Sequence, residues 1–244
     1  MRDNRSRVAR RIGVIVALLS LGLCGLPAAA GPPVTQPAAV SAYFFGDSLM
    51  AGTGANPRRP VMARVAAAQL RWTVEVDAWG GTGFTTSGRS PSYLERLRRP
   101  GALANRYDVV LLEGGTNDAR HADHPEQVRA AVQAVVEEVQ RHQPQAQVVL
   151  MGAYDPPPPG LSDPRRAVVD EVVAAVAAER GLPFFSPLSG RWTAGRTPGF
   201  LHRDRLHPTT RGYGVMGSRL AAELSALVRS GRISHRPQSA SSAA

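Results

Sequence analysis

The chain has 244 residues, 43% of them hydrophobic and 20% charged, with a formal net charge of +10. That is long enough for one full core and short for two, so a single soluble globular domain is expected. Every basic residue is arginine, and the arginines are scattered, with no aromatic interleaving and no helix-long basic stripe. This argues against nucleic-acid binding.

In chain order, residues 1–30 stand apart. Arg2, Arg5, Arg7, Arg10 and Arg11 form a basic head, 12–23 are apolar, and Ala28, Ala29 and Ala30 supply the small residues a signal peptidase needs. A secretory signal cleaved after Ala30 is predicted; an apolar run of about a dozen residues is too short to stay as a membrane span. Leu23 precedes Cys24 where a lipoprotein signal wants a small residue, and the surroundings of Arg10 and Arg11 match a twin-arginine signal poorly. Cleavage removes Cys24, the only cysteine, so the mature protein has no disulfide. It also removes five arginines and Asp3, lowering the formal charge from +10 to +6. A secreted or envelope-associated protein is expected, and an anionic envelope surface suits the remaining charge.

Residues 31–41 are rich in Pro and Ala and read as a linker, 42–229 as the domain, and the Ser- and Ala-rich 230–244 as a disordered tail. Within the domain, short apolar strands over 43–45, 73–76, 109–112, 148–151 and 183–185 alternate with helical spacing over 61–70, 92–98, 125–142, 164–180 and 209–228. The helix over 125–142 opens on Pro125 and carries apolar residues at 128, 132, 135, 136 and 139. Strands regularly separated by helices predict an α/β protein, a parallel sheet with helices on both faces.

In such folds reactive groups gather in loops at the carboxyl ends of the strands. Four polar or glycine-rich segments fall there: FFGDSLMAG at 44–52, WGGTGFTT at 79–86, EGGTNDA at 113–119 and DRLHP at 204–208. Ser48 is a weak nucleophile until a base takes its proton, and His207 is a candidate base. Asp204, three positions earlier, could fix the tautomer of His207 and stabilise its imidazolium. An oxyanion formed by attack on an ester needs donors, and the backbone amides of Ser48 and Gly83 and the side-chain amide of Asn117 are suitable types.

GDSL at 46–49, a glycine after the second strand, GTND at 115–118 and DRLH at 204–207 resemble, in order, the four blocks of the SGNH (GDSL-type) hydrolase family. The resemblance covers about 43–213. It implies a flavodoxin-like three-layer α/β/α sandwich with a five-stranded parallel sheet, and hydrolysis of esters or thioesters with no metal or cofactor. It implies Ser48, Gly83, Asn117 and His207 as the name-giving residues, and Asp204 as the third member of the triad. Gly80 and Gly81 compete with Gly83; Gly83 is chosen because the family's glycine stands shortly before a small polar residue, as in GFTT. The family's asparagine upstream of that glycine is absent, with Asp77 and Ala78 there instead. GDSLM also lacks the second glycine of the GxSxG elbow, which argues against the larger α/β-hydrolase fold.

Other residues carry simpler readings. Ser48 could simply cap the following helix, and Asp118 shapes a turn near the site. His121, Asp123 and His124, and separately His202 with His207, tempt a metal reading, but the first set reads as solvated residues at a helix start. Trp72 and Trp192 read as core or pocket wall, while Trp79, in the donor loop, is the tryptophan best placed to meet substrate. No insertion resembling a lipase lid is present, so small or carbohydrate-linked acyl esters are the expected substrates of a monomeric secreted esterase. An acyltransferase acting on envelope glycans and a non-catalytic envelope-binding module are the alternatives.

Overall fold

Alternation along three strands divides the core in two. In β1 (Ser41–Gly46), Ala42 and Phe44 face one side of the sheet, and Tyr43 and Phe45 the other. β3 (Val109–Glu113) and β4 (Gln147–Met151) repeat this, with Val109, Leu111, Val149 and Met151 on the first side and Val110, Leu112, Val148 and Leu150 on the second. Strands buried on both faces read as unbroken apolar runs, which is why FF, VVLL and VVLM are visible in the sequence.

The structure, a computed structural model, describes residues 39–59, 61–85, 91–195 and 199–234. With β2 (Thr73–Ala78) and β5 (Phe184–Phe185) the sheet is parallel throughout, in the order β2-β1-β3-β4-β5. This is the flavodoxin-like order. One face is covered by α2 (Met62–Leu70) and α6 (Thr210–Arg229), the other by α3 (Tyr93–Leu97), α4 (Pro125–His142) and α5 (Arg165–Glu179). α4 buries Val128, Val132, Val135, Val136 and Val139, the apolar stripe its spacing predicts. α2 and α6 touch closely: a Cβ on Gly217 would lie 2.6 Å from Val65 Cβ.

Two short elements escape the sequence reading, α1 (Ser48–Ala51) and a 3-10 helix (Asp118–His121). Four residues are too few to express a helical period, so both depend on tertiary partners. The predicted tail also begins too early. Past Arg229 the chain turns back, Arg232 Nη2 donates to the carbonyl of Gly181, and Ile233 is buried at 2% exposure. Ser41, placed in the linker, opens β1 opposite Thr73. The predicted signal peptide at 1–30, residues 31–38 of the predicted linker and residues 235–244 of the predicted tail lie outside the described residues. Among the described residues, no helix is long and apolar enough to cross a membrane.

Candidate active site

The sheet order reverses between β1 and β3, and in open parallel sheets the crevice outside such a switch point is where ligands bind. Ser48 follows β1 and Asn117 follows β3, so the two segments emerge side by side. The loop after β2 borders Ser48 on the other side. His207 comes from the segment leading into α6, packed against the turn after α1. There Gly54, at φ +90°, allows close passage: a Cβ would stand 3.0 Å from the Cβ atoms of both His202 and His207.

This packing joins groups 159 residues apart in sequence. Ser48 Oγ lies 2.9 Å from His207 Nε2, and His207 Nδ1 lies 2.9 Å from Asp204 Oδ2. The other carboxylate oxygen, Oδ1, accepts the amides of Leu206 at 3.0 Å and His207 at 2.9 Å. Partial burial pushes the Asp204 pKa up, but the Leu206 amide, the ring and amide of His207 and the His202 ring together hold it below the usual carboxylate range. Asp204 therefore stays charged. The two contacts fit the tautomer of His207 that donates Nδ1–H to Asp204 and accepts the Ser48 hydroxyl at Nε2. From α6, Tyr213 donates to the Thr53 carbonyl at 2.9 Å and, at 3.5 Å, to that of Ser48, tying the serine turn to the helix that follows His207.

Beneath the serine lies a buried polar layer. Asp47, 1% exposed, caps α1 by accepting the Leu49 amide at 2.8 Å, and its Oδ2 accepts from Asn117 Nδ2 at 3.0 Å. The same Nδ2 donates to the Thr82 carbonyl at 2.9 Å, so both amide hydrogens hold it in place. Asp47's own amide donates to Glu113 Oε2 at 3.1 Å. Glu113 is fully buried and its Oε1 has no hydrogen-bond partner among the described residues. Burial raises the Asp47 pKa from 3.8 to about 7, against the pull of the Leu49 amide and with a further push from Asp118. Burial, then the Asp47 charge, likewise lifts Glu113 well above the carboxylate range. Gly46 has no room for a side chain, since a Cβ would meet Glu113 Oε2 at 2.3 Å.

Arg96, on α3, is the cation of this layer. It donates to the Gly46 carbonyl at 2.9 Å, to Thr82 Oγ1 at 3.1 Å, and to Asp77 at 2.9 and 2.6 Å, with its guanidinium 4.0 Å from the Phe45 ring centroid. One side chain thus joins the ends of β1 and β2 to the glycine-rich loop.

The glycines of that loop differ in surroundings. Gly83 is buried, and a Cβ there would stand 2.4 Å from Asp118 Oδ2; Asp118 in turn accepts from the amides of Phe84 and Thr85. Gly80 borders the serine, with a Cβ position 3.6 Å from Ser48 Cβ, while Gly81, at φ +76°, meets nothing within 4 Å. The arrangement can abstract the serine proton and offers amide donors beside the hydroxyl.

A family model described as the GDSL-like Lipase/Acylhydrolase family matches residues 44–215. The chain belongs to that family. As a GDSL-type hydrolase it is an ester-cleaving enzyme, and its fold is shared by distant solved structures. The lipase/acylhydrolase from Enterococcus faecalis is similar at TM-score 0.60 and 20% identity, over 81% of this chain and 99% of that one. A family two carbohydrate esterase from Clostridium thermocellum, in complex with cellohexaose, is similar at TM-score 0.62 and 19% identity, over 79% and 66%. The lipase Lip_vut3 from goat rumen metagenome is similar at TM-score 0.55 and 20% identity, over 75% and 97%. No curated protein matches the sequence.

Several residues of this GDSL-type hydrolase were given no part in the site from sequence: Glu113, Thr82, Arg96 and, beyond its place in the GDSL block, Asp47, while His202 was weighed only as half of a metal pair with His207. Glu113 left a trace, an acid closing the apolar run VVLLE. The others look like ordinary polar positions until the fold assembles them. His202 places Nδ1 3.0 Å from the same Asp204 oxygen that His207 uses. His124 lies 3.6 Å from Glu126, and no group of three or more His, Cys, Asp or Glu that could hold a metal ion occurs among the described residues. Trp192 is buried, Trp72 packs on the core, and Trp79 is half-buried, with the Arg99 guanidinium 3.9 Å from its ring centroid.

Proposed function

We propose that the protein is an exported serine esterase that cleaves small or carbohydrate-linked acyl esters through a Ser48-His207-Asp204 triad. The observation that carries this reading is the unbroken hydrogen-bonded line from Ser48 Oγ through His207 to Asp204. His207 Nε2 takes the Ser48 proton as Oγ bonds to the acyl carbon, and Asp204 stabilises the imidazolium that forms. The carbonyl oxygen becomes an oxyanion, met by the Ser48 amide, which opens α1 and has no intrahelical acceptor, and by Asn117 Nδ2, sharing a hydrogen it now gives to Asp47 or Thr82. A backbone amide of the 79–83 loop is the third donor. Gly83 is the position the family pattern indicates, and Gly80 stands nearer Ser48. Collapse expels the alcohol, which takes the proton from His207, and water then releases the acid by the same steps. Thioesters fall within the same chemistry.

The basic head, apolar stretch and three alanines of 1–30 support export. The neighbouring carbohydrate esterase fold supports sugar-linked esters. The test uses an active-site-directed phosphonate and 4-nitrophenyl acetate. The expected result is stoichiometric labelling of the wild type, with Ser48→Ala unlabelled and at least about 10⁴-fold slower. A Ser48→Ala variant that keeps its turnover would sink the reading, and acylation of an added sugar in preference to water would replace hydrolase by transferase.

A further inference from the structure

The turn that carries Asp204 and His207 is tight. The His202 amide donates to the His207 carbonyl at 2.8 Å, the Arg205 amide donates to the His202 carbonyl at 3.0 Å, and Asp204 Oδ1 fastens the next two amides. Its apex, Arg205, has φ +59°, a left-handed conformation that L residues rarely adopt. Glycine would fill that backbone position without strain. An arginine there calls for a side-chain reason.

The side chain supplies one. Arg205 Nε and Nη2 both donate to the Pro159 carbonyl, at 3.0 and 2.8 Å, and the Arg205 carbonyl accepts the Leu161 amide at 2.9 Å. Residues 156–159 are four consecutive prolines, which have no N–H to give one another, so their carbonyls need outside donors. The proline segment is itself pinned to α5. Arg166 donates to the Leu161 carbonyl at 2.9 Å and to Asp155 Oδ1 at 2.6 Å. A continuous path therefore runs from α5 through the proline loop to the turn that holds Asp204 and His207.

We propose that Arg205 is a positioning residue: its double donation to Pro159 holds the 202–207 turn where His207 meets Ser48. The inference rests on the triad reading above. Arg205→Met removes both donors while keeping the left-handed strain and the aliphatic stem; Arg205→Gly removes the donors and relaxes the strain. With 4-nitrophenyl acetate, both variants should lose roughly tenfold to a hundredfold in kcat with KM within about twofold, because a small misplacement of catalytic groups costs turnover rather than binding. In an Asp204→Asn background the Arg205 substitutions should cost less than about twofold, since the geometry they disturb is already lost. Melting temperature and far-UV circular dichroism separate this from simple unfolding.

Wild-type kcat in Arg205→Met or Arg205→Gly overturns the proposal. So does an equal loss with and without Asp204→Asn, or a loss that tracks the unfolded fraction. Should Arg205→Met fail to fold, Arg205→Gly decides alone. Failure of the triad reading looks different, because Ser48→Ala in the same panel would stay active and unlabelled variants would turn over.

Discussion

Asp47→Asn should change its stability relative to wild type as pH rises from 5 to 8. Folding raises the Asp47 pKa from 3.8 to about 7, chiefly by burial. The folded state then keeps a proton that the unfolded chain releases, so this group's contribution is full below the ordinary carboxylate value and is lost as pH climbs to about 7. From pH 5 to about 7, at 1.36 kcal/mol per pH unit, the wild type gives up about 3 kcal/mol that an asparagine does not. Asparagine keeps the acceptor for the Leu49 amide, but its NH₂ faces Asn117 Nδ2 where Asp47 Oδ2 now accepts, a donor-donor contact costing about 1–3 kcal/mol at every pH. Because the wild type has already given up about 1.6 kcal/mol between 3.8 and pH 5, the variant should lie within about 1.5 kcal/mol of it at pH 5 and be about 1–3 kcal/mol more stable at pH 8. Urea midpoints and slopes for both proteins at the two pH values measure the difference directly. A difference that stays constant within about 1 kcal/mol, or moves the opposite way, refutes the reasoning.

Two further outcomes test the chemistry. Asn117→Ala should lower kcat by about 10²–10³ while KM changes little, because an oxyanion donor acts in the transition state; equal losses in kcat and in substrate affinity would give Asn117 a purely structural role. Activity should fall as pH drops, since His207 must be neutral to accept the serine proton, while Asp204, held below the usual carboxylate range, stays ionised. The stability that Asp204 contributes is correspondingly present above the ordinary carboxylate value and lost only at strongly acid pH. A rate profile flat into strong acid counts against His207 as the base.

Much of the candidate site was legible because its residues sit at strand ends. Ser48, Asn117, Asp204 and His207 each follow or precede a segment whose period is plain, and the fold brings them to one crevice. Which glycine is the proposed donor was not legible: Gly80, Gly81 and Gly83 look alike in sequence, and only their surroundings separate a glycine under Asp118 from one beside Ser48. Arg96 reads as one more polar residue in YLERLRRP, yet it is fully buried beneath the loop.

By itself the sequence determined the alternation of strands and helices, because burying both faces of a parallel sheet demands continuous apolar runs and covering it demands a 3.6-residue stripe. It also determined the chemical types available for catalysis. Only the tertiary structure decided which of them meet, since contacts such as Asp47 to Asn117 and Arg205 to Pro159 span 70 and 46 residues. Hydrogen bonds of that kind depend on distance and direction in space, and no local pattern along the chain records them.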